Sequence, residues 1–70
     1  MWEVRDTVLP ELLEPGDIVD WFGDIVHVTH IEDHPTSDSI IIIHGRDDEW
    51  GEPGTWEYPI DSLIELMTEE

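Results

Sequence analysis

The sequence predicts an all-β domain, a small and strongly bent barrel of five short strands. Two observations indicate this fold. Two β-branched runs, residues 24–32 and 39–45, flank a break at residues 34–38 that contains Pro, Ser and Asp, a pattern typical of an antiparallel hairpin. The other apolar segments are short, and tight glycine turns and one longer loop separate them. We expect these segments to add strands around the central hairpin.

The chain before the hairpin predicts a weak edge strand followed by two turns. Residues 2–8 alternate loosely, with Trp2 and Val4 expected to face inward. Apolar residues at i, i+3 and i+4 within residues 9–14 predict one short helical or 3-10 turn. A tight turn at residues 15–17 follows, because Pro presets φ and Gly accepts a positive φ.

The hairpin region predicts one further strand, a bulge and a central strand. Residues 17–22 read as the first secure strand, and residues 23–24 make the tight turn that follows it. A bulge near His30 is expected, because it would return Ile31 to the core face. The run Ile40–Ile43 is apolar on both faces. Its strand is therefore either central or covered by another element or another chain.

The chain after the hairpin predicts a loop and two more strands. Residues 46–54 hold four carboxylates, two Gly and one Pro, a composition that favours a loop. Residues 55–58 alternate and predict a short strand, and a 3-10-like turn is expected at residues 59–62. Residues 63–67 fit either a helix with an N-terminal capping box or a closing strand, and we favour the strand.

The length of 70 residues predicts a single small domain. Residues 1–12 are its N-terminal edge segment and residues 13–68 its barrel core. The chain has no Cys, so no disulfide stabilises this small core. The first residues are polar and acidic, unlike a signal peptide, and no apolar run approaches the roughly 20 residues of a membrane span. We therefore expect a cytoplasmic protein without membrane contact.

The charge is the strongest functional signal in the sequence. Nineteen Asp and Glu stand against two Arg and no Lys, which gives a formal net charge of −17. A globule of this mass exposes roughly 4,500 Å², or about 240 Å² per carboxylate, whereas duplex DNA exposes roughly 110 Å² per charge. Clustering on one face would bring the carboxylates to the density of DNA. Three explanations stay open: a basic partner, a high-salt cytoplasm, or solubility for a Trp-rich chain.

Four segments of the chain resemble SH3-like barrel domains, especially short proteins of that type in actinobacteria and their phages. The segments are residues 13–19, residues 22–23, residues 26–31 and residues 56–59, so the similarity covers most of residues 13–66. The resemblance implies a binding module and not a catalyst. Many nucleic-acid-binding relatives of this barrel are basic, and this acidic chain departs from them. The departure argues against direct binding of nucleic acid.

Four histidines raise the question of a metal site. His30, His34 and His44 would have to converge at the loop end of the hairpin to bind Zn²⁺ or a similar ion. His27 and His30 point to opposite faces of a regular strand, so such a site also needs a bend between them. Solvent-facing histidines on a polar strand face are the commoner arrangement. We predict neither a metal nor another cofactor.

The sequence does not predict an enzyme. Carboxylate pairs occur throughout a chain this acidic, so they carry no information about acid–base catalysis. The sequence offers no Ser-His-Asp spacing, no Gly-rich phosphate loop and no Lys to meet a phosphate. A chain of this length rarely builds a catalytic cleft.

The predicted binding residues combine acidic runs with one aromatic side chain. Trp50 lies in the loop among carboxylates, where it is either an apolar hot spot or a lid over one end of the barrel. Trp2, Trp21 and Trp56 are expected to pack in the core or at its rim. The predicted partner-binding set is Asp47, Asp48, Glu49, Trp50, Glu52, Glu32, Asp33 and Asp38.

Two functions from different classes fit these observations. The first is an acidic inhibitor or decoy that mimics nucleic acid and occupies the basic site of a nucleic-acid-binding protein. A phage or mobile-element origin would suit it. The second is a structural or assembly module that forms a homodimer or docks through residues 40–43. Salt separates the two, since ionic binding weakens with ionic strength whereas apolar assembly holds or strengthens.

Overall fold

The all-β class is confirmed. A computed structural model describes residues 1–69 as one antiparallel sheet of six strands, in the order β1-β6-β2-β3-β4-β5. The strands are β1 Trp2–Val8, β2 Ile18–Trp21, β3 Asp24–Asp33, β4 Ile40–Asp47, β5 Pro53–Pro59 and β6 Ile64–Glu69. One 3-10 turn, Pro10–Leu12, connects β1 to β2. Within residues 1–69, no helix is long and apolar enough to cross a membrane.

The sheet differs from the predicted five-stranded barrel in two respects. It has six strands, because the edge strand predicted for residues 2–8 is confirmed as β1 and pairs with β6 over most of its length. It is also not closed, since β1 and β5 form its two edges.

A β-bulge in β1 explains the loose alternation of residues 2–8. The register with β6 shifts between Val4 and Asp6, so Arg5 is the extra residue of the bulge. A bulge changes the face to which the following residues point. Val4 therefore faces away from the core and is 50% exposed, and Trp2 shares that outer face. The expectation that Trp2 and Val4 face inward is wrong.

The central hairpin formed by β3 and β4 is confirmed. The register between the two strands shifts between Val28 and His30, which is the predicted bulge. Ile31, the next residue after His30, packs against the core. Opposite the bulge, the backbones approach so closely that a Cβ on Gly45 would lie 2.3 Å from the carbonyl oxygen of His27. Only glycine fits at this position.

The core consists of β-branched and leucine side chains from β2, β3, β4 and β6, together with one from the segment after the 3-10 turn. Its cluster of buried residues is Leu13, Val19, Val26, Val28, Ile43, Ile64 and Leu66. Ile41 is also buried, and Ile40 and Ile42 on the opposite face of β4 are half-buried. β4 is paired with a strand on each side. The run Ile40–Ile43 therefore lies in an interior strand of the sheet, which is one of the two arrangements predicted for it. Each fully buried Ile or Val contributes about 1.5–3 kcal/mol.

The turn between β2 and β3 lies one residue earlier than predicted. Trp21 pairs with Asp24, which leaves Phe22 and Gly23 as a two-residue hairpin loop. Both have positive φ, +47° for Phe22 and +98° for Gly23, as a type I′ turn requires. Phe22 therefore belongs to the turn and not to the preceding strand.

The C-terminal part follows the predicted strands. Residues 59–62 form the expected 3-10-like turn, in which the amide of Ser62 donates to the carbonyl of Pro59, three residues earlier. The 3-10 helix Pro10–Leu12 lies within residues 9–14, as their pattern predicts. The closing strand favoured for residues 63–67 is confirmed as β6.

Candidate protein-binding face at two acidic turns

The predicted partner-binding residues fall into two groups at opposite ends of the hairpin. Asp47 is the last residue of β4, and Asp48, Glu49, Trp50 and Glu52 follow it. Glu32, Asp33 and Asp38 lie near the other end of the same hairpin. Ile41, which pairs with Asp33, lies six residues before Asp47 along β4, or roughly 20 Å of extended chain. The structure therefore does not bring the predicted residues into one site.

The connection between β4 and β5 is a tight turn organised by one carboxylate. The side chain of Asp47 accepts hydrogen bonds from the amides of Glu49 at 2.7 Å and Trp50 at 2.9 Å. The amide of Gly51, at φ +68°, donates to the carbonyl of Asp47 at 2.7 Å. Arg46 donates from Nη1 to the carbonyl of Gly51 at 2.9 Å. These bonds hold the turn in a defined shape despite its charge.

This turn carries Trp50 at its tip. The side chain of Trp50 is 74% exposed, so it does not fold back over the sheet. Of the two alternatives for this residue, the lid is excluded. Large aromatic side chains are enriched at partner-binding hot spots, so Trp50 stays a candidate for one.

A small groove lies between this turn and the β2–β3 turn. Its volume is about 220 Å³, enough for one long side chain. The amide of Asp48 donates to the carbonyl of Ile25 at 3.0 Å, which joins the two walls. The groove is lined by Trp2, Gly23, Asp24, Ile25, Asp47, Asp48 and Glu49.

The groove has an aromatic side and an acidic side. The ring of Trp2 meets the ring of His27 edge-on, with centroids 6.0 Å apart. His27 in turn bonds through Nε2 to the carboxylate of Asp48 at 2.7 Å. We call the residues Asp24, Asp47, Asp48, Glu49, Trp50 and Glu52 the acidic turn face. Four of its carboxylates, those of Asp24, Asp47, Asp48 and Glu49, line this concave surface.

The carboxylates at the far end of the hairpin are arranged differently. Glu32 pairs with Nε2 of His44 at 2.8 Å, and Glu57 of β5 pairs with Nε2 of His34 at 3.2 Å. Asp33 and Asp38 are exposed. The β5–β6 turn lies at the same end, because the amide of Ile60 donates to the carbonyl of Ser39, and it carries the exposed side chain of Leu63. This end therefore presents charge near an aliphatic side chain, whereas the β4–β5 turn presents charge near an indole.

The three weak candidates for a metal site do not converge. The rings of His30 and His44 stack with centroids 4.2 Å apart and planes 9° from parallel. His34 lies beside Glu57 and bonds through Nδ1 to Thr36. Over residues 1–69, no group of three or more His, Asp or Glu is placed to hold a metal ion.

Sequence reasoning missed the residues that complete the face from other strands. Trp2 and Ile25 line the groove, although they are far from residues 47–52 in sequence. Phe22 is a second aromatic side chain exposed to 74%; it shares its turn with the groove residue Gly23, but its ring packs against Trp21 and Tyr58 and does not line the groove. The one available signal was the pair Phe22-Gly23, since glycine at that position marks a two-residue hairpin turn.

The chain was compared with known proteins by family and by sequence. It matches no protein-family model and no curated protein sequence.

Proposed function

We propose that this chain is a non-catalytic binding protein, a decoy that occupies the basic site of a nucleic-acid-binding protein. The observation that supports this most is the acidic turn face. It combines an indole exposed to 74% with four carboxylates that line an open groove. Arg and Lys of a partner would pair with these carboxylates, and Trp50 would supply apolar contact.

The charge density supports the same proposal. The surface measures 4610 Å², which is about 240 Å² for each of the 19 carboxylates. This average is half the density of duplex DNA. Four of the carboxylates lie within residues 47–52, so the local density at the turn is higher. A field of this kind steers basic proteins toward the chain and repels nucleic acid.

The proposal includes an SH3-like architecture and a cytoplasmic location. The five antiparallel strands β6-β2-β3-β4-β5 span the residues that resemble SH3-like domains. Trp21 of β2 also reaches the backbone of β5, which fits a sheet curled toward a barrel. A decoy for nucleic-acid-binding proteins acts where those proteins meet nucleic acid, which is the cytoplasm of a prokaryotic cell.

The alternative, assembly through the isoleucine-rich strand, has less support. β4 is hydrogen-bonded on both edges, so its backbone is not free to add a strand. Its outward residues Ile40 and Ile42 are half-buried between neighbouring strands. A homodimer on this face would also bring together two chains of charge −17.

The proposal is tested by binding competition. The immobilised protein is exposed at low salt to purified basic nucleic-acid-binding proteins, and duplex DNA is then added in increasing amounts. We expect retention that DNA abolishes and that weakens steadily with NaCl. Absence of any retained protein, or retention that DNA does not disturb, overturns the proposal.

Two pairs of variants with the same change in charge locate the interface. Glu49→Gln with Glu52→Gln removes two charges at the acidic turn face, and Asp33→Asn with Asp38→Asn removes two at the far end. We expect the first pair to weaken partner binding clearly more than the second. An equal loss would indicate attraction by net charge alone, and a larger loss from the second pair would place the interface at the other end.

A further inference from the structure

Three aromatic rings meet where the β2–β3 turn contacts β5. The centroid of the Phe22 ring lies 5.0 Å from that of Trp21 and 5.7 Å from that of Tyr58. Trp21 and Tyr58 are half-buried and pack against the core, whereas Phe22 is 74% exposed. We call these three residues the aromatic corner. It is a patch of apolar ring surface with a fixed support, and it is separate from the groove, which other residues line.

The polar atoms of the two supporting rings are already bonded within the chain. Trp21 donates from Nε1 to the carbonyl of Glu57 at 3.0 Å, and the hydroxyl of Tyr58 donates to the carbonyl of Leu63 at 2.8 Å. These bonds fix the orientation of both rings, so a side chain that packs on them orders little of the protein. The aromatic corner therefore offers a partner apolar contact at a small entropic cost.

The β2–β3 turn does not need a phenyl ring in order to form. The φ of Phe22, +47°, lies in the left-handed region, which Asn and Gly adopt more readily. Type I′ turns accordingly prefer Asn-Gly at these two positions, where the chain has Phe-Gly. Because the ring is mostly exposed, its packing within the chain contributes little to stability. A contact with a partner gives the ring a role that the turn itself does not provide.

Carboxylates flank the aromatic corner on both of its strands. The side chain of Asp20 accepts a hydrogen bond from the amide of Gly23 at 2.9 Å, so it lies against the same turn as Phe22. Glu57 directly precedes Tyr58 on β5, and its side chain is 61% exposed. The chain has no Lys, and its two Arg lie on β1 and β4. Apolar rings with an acidic rim complement an apolar side chain that has cations on either side.

We propose that the aromatic corner binds an aliphatic side chain that lies between Lys or Arg residues in a segment of the partner. This inference rests on the proposed function and adds a contact that charge alone cannot supply. A second copy of the chain does not fit, because symmetric pairing of two corners would bring together the carboxylates of two chains of charge −17. The occupant that the charge favours is therefore a basic protein.

The test uses two octapeptides of equal charge, one with six lysines around a central Leu-Leu pair and one with six lysines around Ser-Ser. Each is titrated into the full chain at moderate salt, and the ratio of the two affinities is the readout, because the contribution of charge cancels. We expect the Leu peptide to bind about five- to tenfold more tightly. The NMR signal of the Trp21 indole N–H should shift more with the Leu peptide than with the Ser peptide.

Two variants remove the ring and keep the turn. Phe22→Asn and Phe22→Gly both install residue pairs that a type I′ turn accepts. We expect the preference for the Leu peptide to fall toward one in each, with little change in the stability of the fold. Trp50→Ser is the matched control, because it removes an aromatic side chain of the same 74% exposure from a different turn. We expect this control to keep most of the preference.

The outcomes distinguish this inference from the decoy proposal. Loss of the preference in both Phe22 variants, with Trp50→Ser unchanged, supports the inference. Equal affinity of the wild-type chain for the two peptides, or a preference that survives both Phe22 variants, overturns it and leaves the decoy proposal standing. Self-association of the free chain that Phe22→Asn abolishes, as measured by sedimentation, assigns the corner to a second copy and also overturns the inference. Failure of the wild-type chain to bind either peptide at low salt overturns both proposals.

Discussion

The indole nitrogen of Trp21 donates a hydrogen bond to the backbone carbonyl of Glu57 at 3.0 Å. Trp21 ends β2 and Glu57 lies on β5, an edge strand that is separated from β2 in the sheet by β3 and β4. One side-chain bond therefore connects a central strand to an edge of the open sheet. It also occupies one acceptor on that edge, where unpaired backbone groups otherwise invite other strands.

Trp21→Phe is expected to weaken this connection without emptying the core. The phenyl ring retains most of the apolar contact, but the carbonyl of Glu57 loses its donor. The expected loss in the free energy of unfolding is about 1 kcal/mol. Urea unfolding measures it, with Trp56→Phe as the control for replacement of an indole elsewhere on the core rim. An equal effect of the two variants would show that the hydrogen bond itself contributes nothing.

The hairpin could be predicted from the sequence because its signals are local. β-branched residues on both sides of a Pro-Thr-Ser-Asp break favour two paired strands, and the faces on which Val28 and Ile31 must lie require a bulge between them. The edge strand β1 could be predicted, but the faces of its residues could not, because the bulge at Arg5 breaks the alternation on which such a prediction depends. Phe22 was assigned to a strand because aromatic residues favour strands and rarely adopt positive φ.

The candidate site was predicted only in part for a similar reason. The loop composition around Trp50 is visible in residues 46–54, so that half of the site was found. Trp2 and Ile25 reach the groove only through the pairing of strands that are distant in sequence. The division of the predicted binding residues between two ends of the hairpin could be seen only in three dimensions.

Gly45 is expected to tolerate no side chain. A Cβ at this position would lie 2.3 Å from the backbone oxygen of His27, and backbone in the middle of a sheet cannot move aside. Gly45→Ala should lower the free energy of unfolding by about 2–3 kcal/mol. Gly54→Ala is the comparison, because its nearest neighbour is the indole of Trp56 at 3.2 Å, which can shift. Thermal unfolding of both variants shows which loses more stability. A loss in Gly45→Ala that is equal to or smaller than the loss in Gly54→Ala would contradict the close backbone approach at Gly45.

The fold is expected to become more stable as salt rises. A net charge of −17 on so small a surface opposes compaction, and screening relieves that repulsion. Urea unfolding in NaCl from low concentration to about 1 M should show a steady gain in the free energy of unfolding. A stability that is independent of salt would mean that the carboxylates do not interact measurably.

Repulsion between one specific pair of carboxylates is also expected to lower the stability of the fold. Asp20 and Glu65 lie directly opposite each other on β2 and β6, and like charges in this arrangement are destabilising. Glu65→Lys should raise the free energy of unfolding by about 0.5–1 kcal/mol at low salt, and the gain should shrink at high salt. Glu11→Lys makes the same change in net charge on the exposed 3-10 turn. If the free energy of unfolding rises equally in both variants, repulsion between Asp20 and Glu65 is not the cause of the gain.

Asp47 is expected to position Trp50 as well as to carry charge. Its carboxylate holds the amides of Glu49 and Trp50, so Asp47→Ala removes both acceptor bonds, whereas Asp47→Asn keeps an acceptor oxygen and removes only the charge. We expect Asp47→Ala to cost about 1–2 kcal/mol in the free energy of unfolding and Asp47→Asn clearly less. The amide of Trp50 should become mobile in Asp47→Ala alone, as measured by backbone NMR relaxation. Because an ordered hot spot binds with a smaller loss of entropy, Asp47→Ala should also lose more affinity for a basic partner protein than Asp47→Asn. Equal affinities in the two variants would show that the carboxylate acts through its charge and not through the shape of the turn.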